Sequence, residues 1–138
     1  GENVAPVPIE DMLKAACPAI SNVMMVGDKR KYNVALVTLR CEPREDGSFS
    51  DRLAPAALQV SPASKTVAEA KADPAWREYI QQGLDATNKK VVSNAARIQK
   101  FTIVPEFSVP GGELTATLKL RRQVVLNKFK DEIEQLYA

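Results

Sequence analysis

This 138-residue sequence predicts an α+β fold, a small domain whose three-stranded, mainly antiparallel sheet is covered by helices. Two apolar runs, Ile20 to Val26 and Tyr32 to Cys41, flank the charged turn Gly27-Asp28-Lys29-Arg30-Lys31, as in an early hairpin. A third run, Ile98 to Val104, follows a long helical segment and supplies a later strand. Segments with apolar residues three and four apart precede, separate and follow these runs, so the helices have a sheet to cover.

The first helix is predicted over about 8–17. Pro8 suits its first position, Glu10 and Asp11 favour its positive end, Ile9, Leu13 and Ala16 share a face, and Pro18 stops it. In the second apolar run Val34 and Leu36 alternate with Ala35, Val37 and Leu39, so both faces are apolar and the strand belongs at the centre of its sheet. Residues 43–72, punctuated by Pro43, Gly47, Pro55 and Pro62, have no sustained period. They read as a long polar excursion with short helices around 50–58 and 64–72, either functional or a tolerated surface insertion. Asp73-Pro74 opens a helix with a capping side chain and a proline in the first turn. Trp76, Ile80, Leu84 and Val91 carry it to about Asn94, with Trp76 and Tyr79 as core and rim. A turn-rich loop, 105–117, leads into a last amphipathic helix over about 121–137, built on Val125, Phe129, Ile133 and Leu136.

Composition narrows the chemistry. At 45% hydrophobic and 26% charged residues the chain is an ordinary globular sequence long enough for one core. There is no histidine, which removes Ser-His-Asp and Cys-His catalysis and imidazole metal sites. Cys17 and Cys41 match no zinc or redox spacing and read as partly buried thiols of a reducing compartment. Met24 and Met25 read as strand filling, and Asp131-Glu132, adjacent on a helix, form no carboxylate dyad. No apolar run approaches the ~20 residues that span a bilayer. The opening Gly1-Glu2-Asn3-Val4-Ala5-Pro6 reads as the middle of a loop, so the chain is expected to be part of something larger.

The sharpest local anomaly is electrostatic. Lys119, Arg121, Arg122, Lys128 and Lys130 run without an acid between them, and Asp131, Glu132 and Glu134 follow. On one continuous helix this opposes the macrodipole, which a bound anion would relieve. The alternative is a solvated basic turn whose lysines lie over the core. The loop is not a Walker A sequence, since Gly112 to Lys119 lacks the second glycine and the lysine–Ser/Thr pair. Likewise Lys29-Arg30-Lys31 could touch the phosphates of a ligand, but also fits a solvated turn.

Phe107-Ser108, Gly112-Glu113-Leu114-Thr115 and Thr117-Leu118-Lys119-Leu120-Arg121-Arg122 resemble the last core motif of adenylate-forming enzymes. In long-chain acyl-CoA synthetases this is a Gly-x-Leu-Thr-Pro-Thr-x-Lys run followed by basic residues. Gly1-Glu2-Asn3-Val4 with Pro8-Ile9-Glu10 resembles the segment just after that superfamily's interdomain hinge. Between them, Ile20-Ser21-Asn22, Gly27 to Lys31 and Ile98-Gln99-Lys100-Phe101 are similar to the bubblegum branch. The resemblance covers nearly the whole chain, in order.

It implies that residues 1–138 are the C-terminal lid domain of a two-domain long-chain fatty acid–CoA ligase, inactive alone. The missing N-terminal domain would bind ATP, magnesium and the fatty acid; coenzyme A would be the co-substrate. Lys119 aligns with the lysine that reaches carboxylate and α-phosphate during adenylation. Gly1, flanked by Glu2 and Asn3, matches the glycine beside the pantetheine channel, and Arg121 and Arg122 are candidate anion-binding residues. No metal ligand falls on this chain. An intracellular setting, cytoplasmic or peripheral on a membrane through the parent enzyme, is expected. Ala116 stands where the family usually has proline, which leaves the ordering of the loop before Lys119 open. The competing reading is a stand-alone basic module whose 119–130 segment holds nucleic acid or an anionic membrane. Aromatics at 6% and a net charge of +2 argue against nucleic acid.

Overall fold

The computed structural model describes residues 4–138. Helix α1 (Pro6–Ala16) is followed by strands β1 (Ile20–Val26), β2 (Asn33–Leu39), β3 (Cys41–Pro43) and β4 (Phe49–Leu53). Helices α2 (Pro55–Leu58), α3 (Val67–Ala72) and α4 (Pro74–Lys90) come next, then a 3₁₀ turn (Asn94–Ala96) and β5 (Ile98–Ile103). Helices α5 (Arg122–Lys128) and α6 (Lys130–Tyr137) close the chain.

The α+β expectation holds. The main sheet has the order β1-β2-β5, with β1 and β2 an antiparallel hairpin. The later strand β5 joins parallel to β2, while a separate β3–β4 pair is antiparallel. Every residue of β2 is buried, because the strand is central and both its faces are covered. Val23, Met25, Ala35 and Val37 point into a core with α1 and α4. Met24 and Leu36 point the other way, against Phe107, Leu114, Val125, Phe129 and Ile133. The alternation along β1 and β2 thus divides the interior into two cores, and α5 and α6 lie over the second.

Several boundaries differ from the sequence reading. Pro6, not Pro8, takes the first turn of α1, so Glu10 and Asp11 fall beyond it and Glu10 is buried. Cys17, not Ala16, completes the buried stripe with Ile9 and Leu13. The 43–72 stretch begins with the β3–β4 hairpin, so the helix expected around 50–58 shrinks to Pro55–Leu58. The turn is built by Asp46, whose carboxylate accepts from the Ser48 N–H and hydroxyl, and by Gly47 at φ +92°. Short edge pairing of polar residues carries no periodic signal. The helix opened by Asp73 is as expected, its carboxylate accepting from the Ala75 N–H, but it ends at Lys90.

The last helix is two. Phe129, at φ −110° and ψ 28°, separates α5 from α6 and drives its ring into the second core beside Phe107. Lys128 thereby ends α5, and Asp131 and Glu132 occupy the first turn of α6. Lys128, Asp131 and Glu132 now suit the ends they occupy, whereas Arg121, Arg122 and Lys130 still stand at helix N-termini, so the expected opposition between charge and dipole is only partly relieved.

Candidate functional site

The segment from 105 to 121 is a sequence of tight, internally bonded turns. Leu114 and Leu120 pair as an antiparallel bridge, and the Arg121 N–H donates to the Glu113 carbonyl at 2.8 Å. Beyond that bridge, the Thr115 N–H donates to the Lys119 carbonyl at 2.8 Å and the Leu118 N–H to the Thr115 carbonyl at 2.8 Å. The Lys119 N–H donates to Thr115 Oγ1 at 3.1 Å, and the two threonine hydroxyls of 115 and 117 lie 3.2 Å apart. Threonine hydroxyls therefore order the turn without the proline that Ala116 replaces.

Leu118 sits at φ 65°, the left-handed region, which costs a non-glycine residue about 1–2 kcal/mol. Its side chain is 68% exposed, so burial of that side chain does not repay the strain. Residues held in sparsely populated backbone regions cluster at functional sites. The neighbour of Leu118 is Lys119, an exposed residue that closes the turn and whose ammonium makes no hydrogen bond or ion pair among the described residues. Arg121 is exposed as well. Val109 and Val124, both partly open to solvent, add an apolar margin to the same loop region.

Two other cations of the 119–130 segment, Arg122 and Lys128, have carboxylate partners, while Lys130 is exposed. Arg122 forms a two-pronged pair with Glu10, at 2.8 and 2.7 Å, and Glu10 also accepts the Met25 N–H at 2.7 Å. These hydrogen bonds are the main reason the Arg122 guanidinium is held above its ordinary pKa range. Lys128 reaches Glu113 at 2.7 Å. Arg122, a candidate anion-binding residue, is thus engaged by a carboxylate that is only 4% exposed. The two carboxylates are what the sequence reading missed as site features. Their signal was there: Glu10 lies between Ile9 and Leu13, and Glu113 precedes Leu114, so each is an acid within an apolar stretch and needs a buried partner.

The remaining sequence candidates fall elsewhere. Gly1, Glu2 and Asn3 lie outside the described residues. Lys29, Arg30 and Lys31 form the β1–β2 turn, where Arg30 pairs with Glu134 and stacks on Tyr137, 4.5 Å from the ring centre. Trp76 is fully buried and meets Tyr79 edge-on, while the Tyr79 hydroxyl accepts from the Ala19 N–H at 3.1 Å, so the pair is core and rim. Cys17 and Cys41 are free and buried, with burial pushing their thiols up to about 11 and about 12. No helix among the described residues is long and apolar enough to cross a membrane.

A shallow depression of about 310 Å³ lies at the free edge of β5, lined in part by Lys71, Arg77 and Lys100, and Lys119 is not in it.

The whole chain, residues 1–138, matches the family described as the AMP-binding enzyme C-terminal domain. It is 47% identical, over its full length, to the long-chain-fatty-acid–CoA ligase ACSBG2 of Gallus gallus, of which it covers 19%. It is 40% identical over 99% of its length to human ACSBG2, covering 22% of that protein, and 40% identical to human ACSBG1, covering 20%. The chain therefore spans about a fifth of the curated relatives it matches. Among solved structures, its fold is similar to the adenylation domain of a carboxylate reductase from Mycobacterium chelonae, with a TM-score of 0.70 at 22% identity. That match covers 99% of this chain and 18% of the other. The A-PCP didomain of the carboxylic acid reductase from Segniliparus rugosus, solved in complex with AMP, matches at 0.66 and 19% identity, over 97% of this chain and 16% of that one.

Proposed function

We infer the function from one established premise: this chain belongs to the family of AMP-binding enzyme C-terminal domains. It acts, in this reading, as the lid of a long-chain fatty acid–CoA ligase that converts fatty acid, ATP and coenzyme A to acyl-CoA, AMP and diphosphate through an acyl-adenylate. The observation that carries the reading is Lys119, an exposed ammonium without a partner among the described residues, presented by an ordered and locally strained turn. Its sequence context is the motif that resembles the adenylation lysine segment, in a chain 37–47% identical to curated long-chain-fatty-acid–CoA ligases.

When the fatty carboxylate attacks the α-phosphate, negative charge grows on the phosphoryl oxygens. A cation fixed beforehand where that charge appears lowers the barrier without reorganising during the step. Lys119 supplies that cation, and it supplies it only when the lid meets the nucleotide held by the preceding domain. In this reading ATP and magnesium are held mainly by that other domain, and the Lys119–Arg121 surface meets the nucleotide's phosphates from the lid side. Coenzyme A enters in the second half-reaction past Gly1, whose lack of a side chain leaves room for pantetheine, with Glu2 and Asn3 flanking the channel. Arg121, exposed two residues after Lys119, is a further cation for a phosphate contact. In this reading the parent enzyme works inside the cell, in the cytoplasm or peripheral on a membrane.

Substituting Lys119→Ala in the full-length enzyme tests the assignment. Acyl-adenylate formation, followed by diphosphate release, is expected to fall about 10²–10³-fold, the scale for losing one preorganised electrostatic group. Thioester formation from preformed acyl-adenylate is expected to stay within a few-fold. Equal losses in the two half-reactions would overturn the role.

A further inference from the structure

Glu113 lies within the loop that carries Lys119 and is only 2% exposed. One carboxylate oxygen accepts the Ser108 N–H at 3.0 Å, and the other accepts from Lys128 Nζ at 2.7 Å. Its carbonyl accepts the Arg121 N–H at 2.8 Å. A single residue therefore ties together the strand entering the turn, the strand leaving it and the end of α5. The next rungs are the Leu114–Leu120 bridge and the bonds between Thr115 and Lys119.

The surroundings are shaped around this carboxylate. A Cβ on Gly111 would stand 2.7 Å from both of its oxygens and 2.8 Å from Ser108 Oγ, so the space beside it is left by a missing side chain. Ser108 Oγ in turn accepts the Gly111 N–H at 2.9 Å. A buried carboxylate needs charge compensation, and Lys128 provides it from a side chain that is 48% exposed. Water could satisfy Lys128 in any rotamer. It is Glu113 that has no alternative and holds the ammonium in one place.

We propose that Glu113 and Lys128 are a positioning pair for adenylation, fixing the strained turn on which Lys119 is presented to the nucleotide. The proposal rests on the lid reading and gives a task to a basic residue that would otherwise count as part of an anion-binding surface. Neither residue touches substrate; both act through the main chain of 113–121. A lysine displaced by a fraction of the distance needed for contact loses most of its effect on the transition state, because catalytic geometry tolerates little error.

The test uses the full-length enzyme and separates the half-reactions. Glu113→Gln keeps an acceptor for Ser108 but loses the ion pair, and Lys128→Met removes the cation from a half-exposed position that tolerates an apolar chain. Each is expected to lower the adenylation kcat about ten-fold with KM for ATP changed less than two-fold, while thioester formation from preformed acyl-adenylate stays within two-fold. Lys128→Arg, which preserves charge and donors, is expected to restore most of the rate. Amide exchange at Lys119 and Thr115 should speed up in the first two variants and not in the third. If Glu113→Gln does not fold, Lys128→Met carries the same comparison. Unchanged adenylation in a folded Lys128→Met enzyme, or parallel loss in the two half-reactions, would overturn the pair's role. Lys119→Ala measured alongside tells the failures apart: an intact Lys119→Ala enzyme refutes the lid lysine itself, whereas a disabled one beside an unaffected Lys128→Met enzyme refutes only the positioning pair.

Discussion

Charge in this domain is managed by single residues rather than by patches. Glu10 holds Arg122 with two prongs and the Met25 amide with the same carboxylate, linking α1, β1 and α5 at one point. Such a pair adds little net stability over an apolar replacement, but removing one partner strands a buried charge. That asymmetry makes Glu10 and Glu113 constraints on geometry more than sources of stability. The buried thiols give a second residue-scale consequence. Cys17 and Cys41 titrate at about 11 and about 12 in the folded chain, against an ordinary 9.0, chiefly because burial disfavours the thiolate. Between pH 9 and 11 the unfolded chain has released these protons and the folded chain has not. Stability is therefore full below pH 9 and falls as pH rises, by about 1.4 kcal/mol per unit for each thiol in that window. Urea unfolding from pH 8 to 11 should show this slope, reduced in Cys41→Ala; an unchanged slope in that variant would mean the thiol is not the titrating group.

Helix packing depends on one small residue that no periodic pattern singles out. Gly83 lies inside α4, where helix propensity alone favours alanine by about 1 kcal/mol. A Cβ there would stand 2.2 Å from Cys17 Sγ and 3.4 Å from Leu13 Cδ1, so the glycine is what lets α1 approach α4. Gly83→Ala is expected to lower Tm by about 3–6 °C, since overpacking of about 1–3 kcal/mol exceeds the propensity gain. In a Cys17→Ala background the same change should become neutral or stabilising, and a thermal melt of the double variant checks it. The break at Phe129 belongs to this scale too. Val125, Phe129 and Ile133 keep the spacing of one helix, so the pattern is silent about the break. The residue at the break, Phe129, packs its ring in the second core, 6.0 Å from that of Phe107, and the break puts Lys128 at the end of α5 and Asp131 and Glu132 in the first turn of α6.

At the scale of the molecule, the sheet separates two cores, and the side covered by α5 and α6 carries the Lys119 turn. On the lid reading, the isolated chain is expected to fold and to show no acyl-CoA or acyl-adenylate formation with fatty acid, ATP, magnesium and coenzyme A; turnover by purified 1–138 would sink that. What the sequence determined by itself was the order of the main elements, the central strand with two apolar faces and the lysine in its motif, because alternation, helical spacing, capping and punctuating residues are local and survive in one dimension. It could not supply the β3–β4 hairpin, the parallel placement of β5, the close approach at Gly83 or the partners of Glu10 and Glu113. Those were decided only by tertiary structure: Glu10 and Arg122 are 112 residues apart in the chain and meet at 2.7 Å, a pairing of unlike charges among many candidates that folding alone selects.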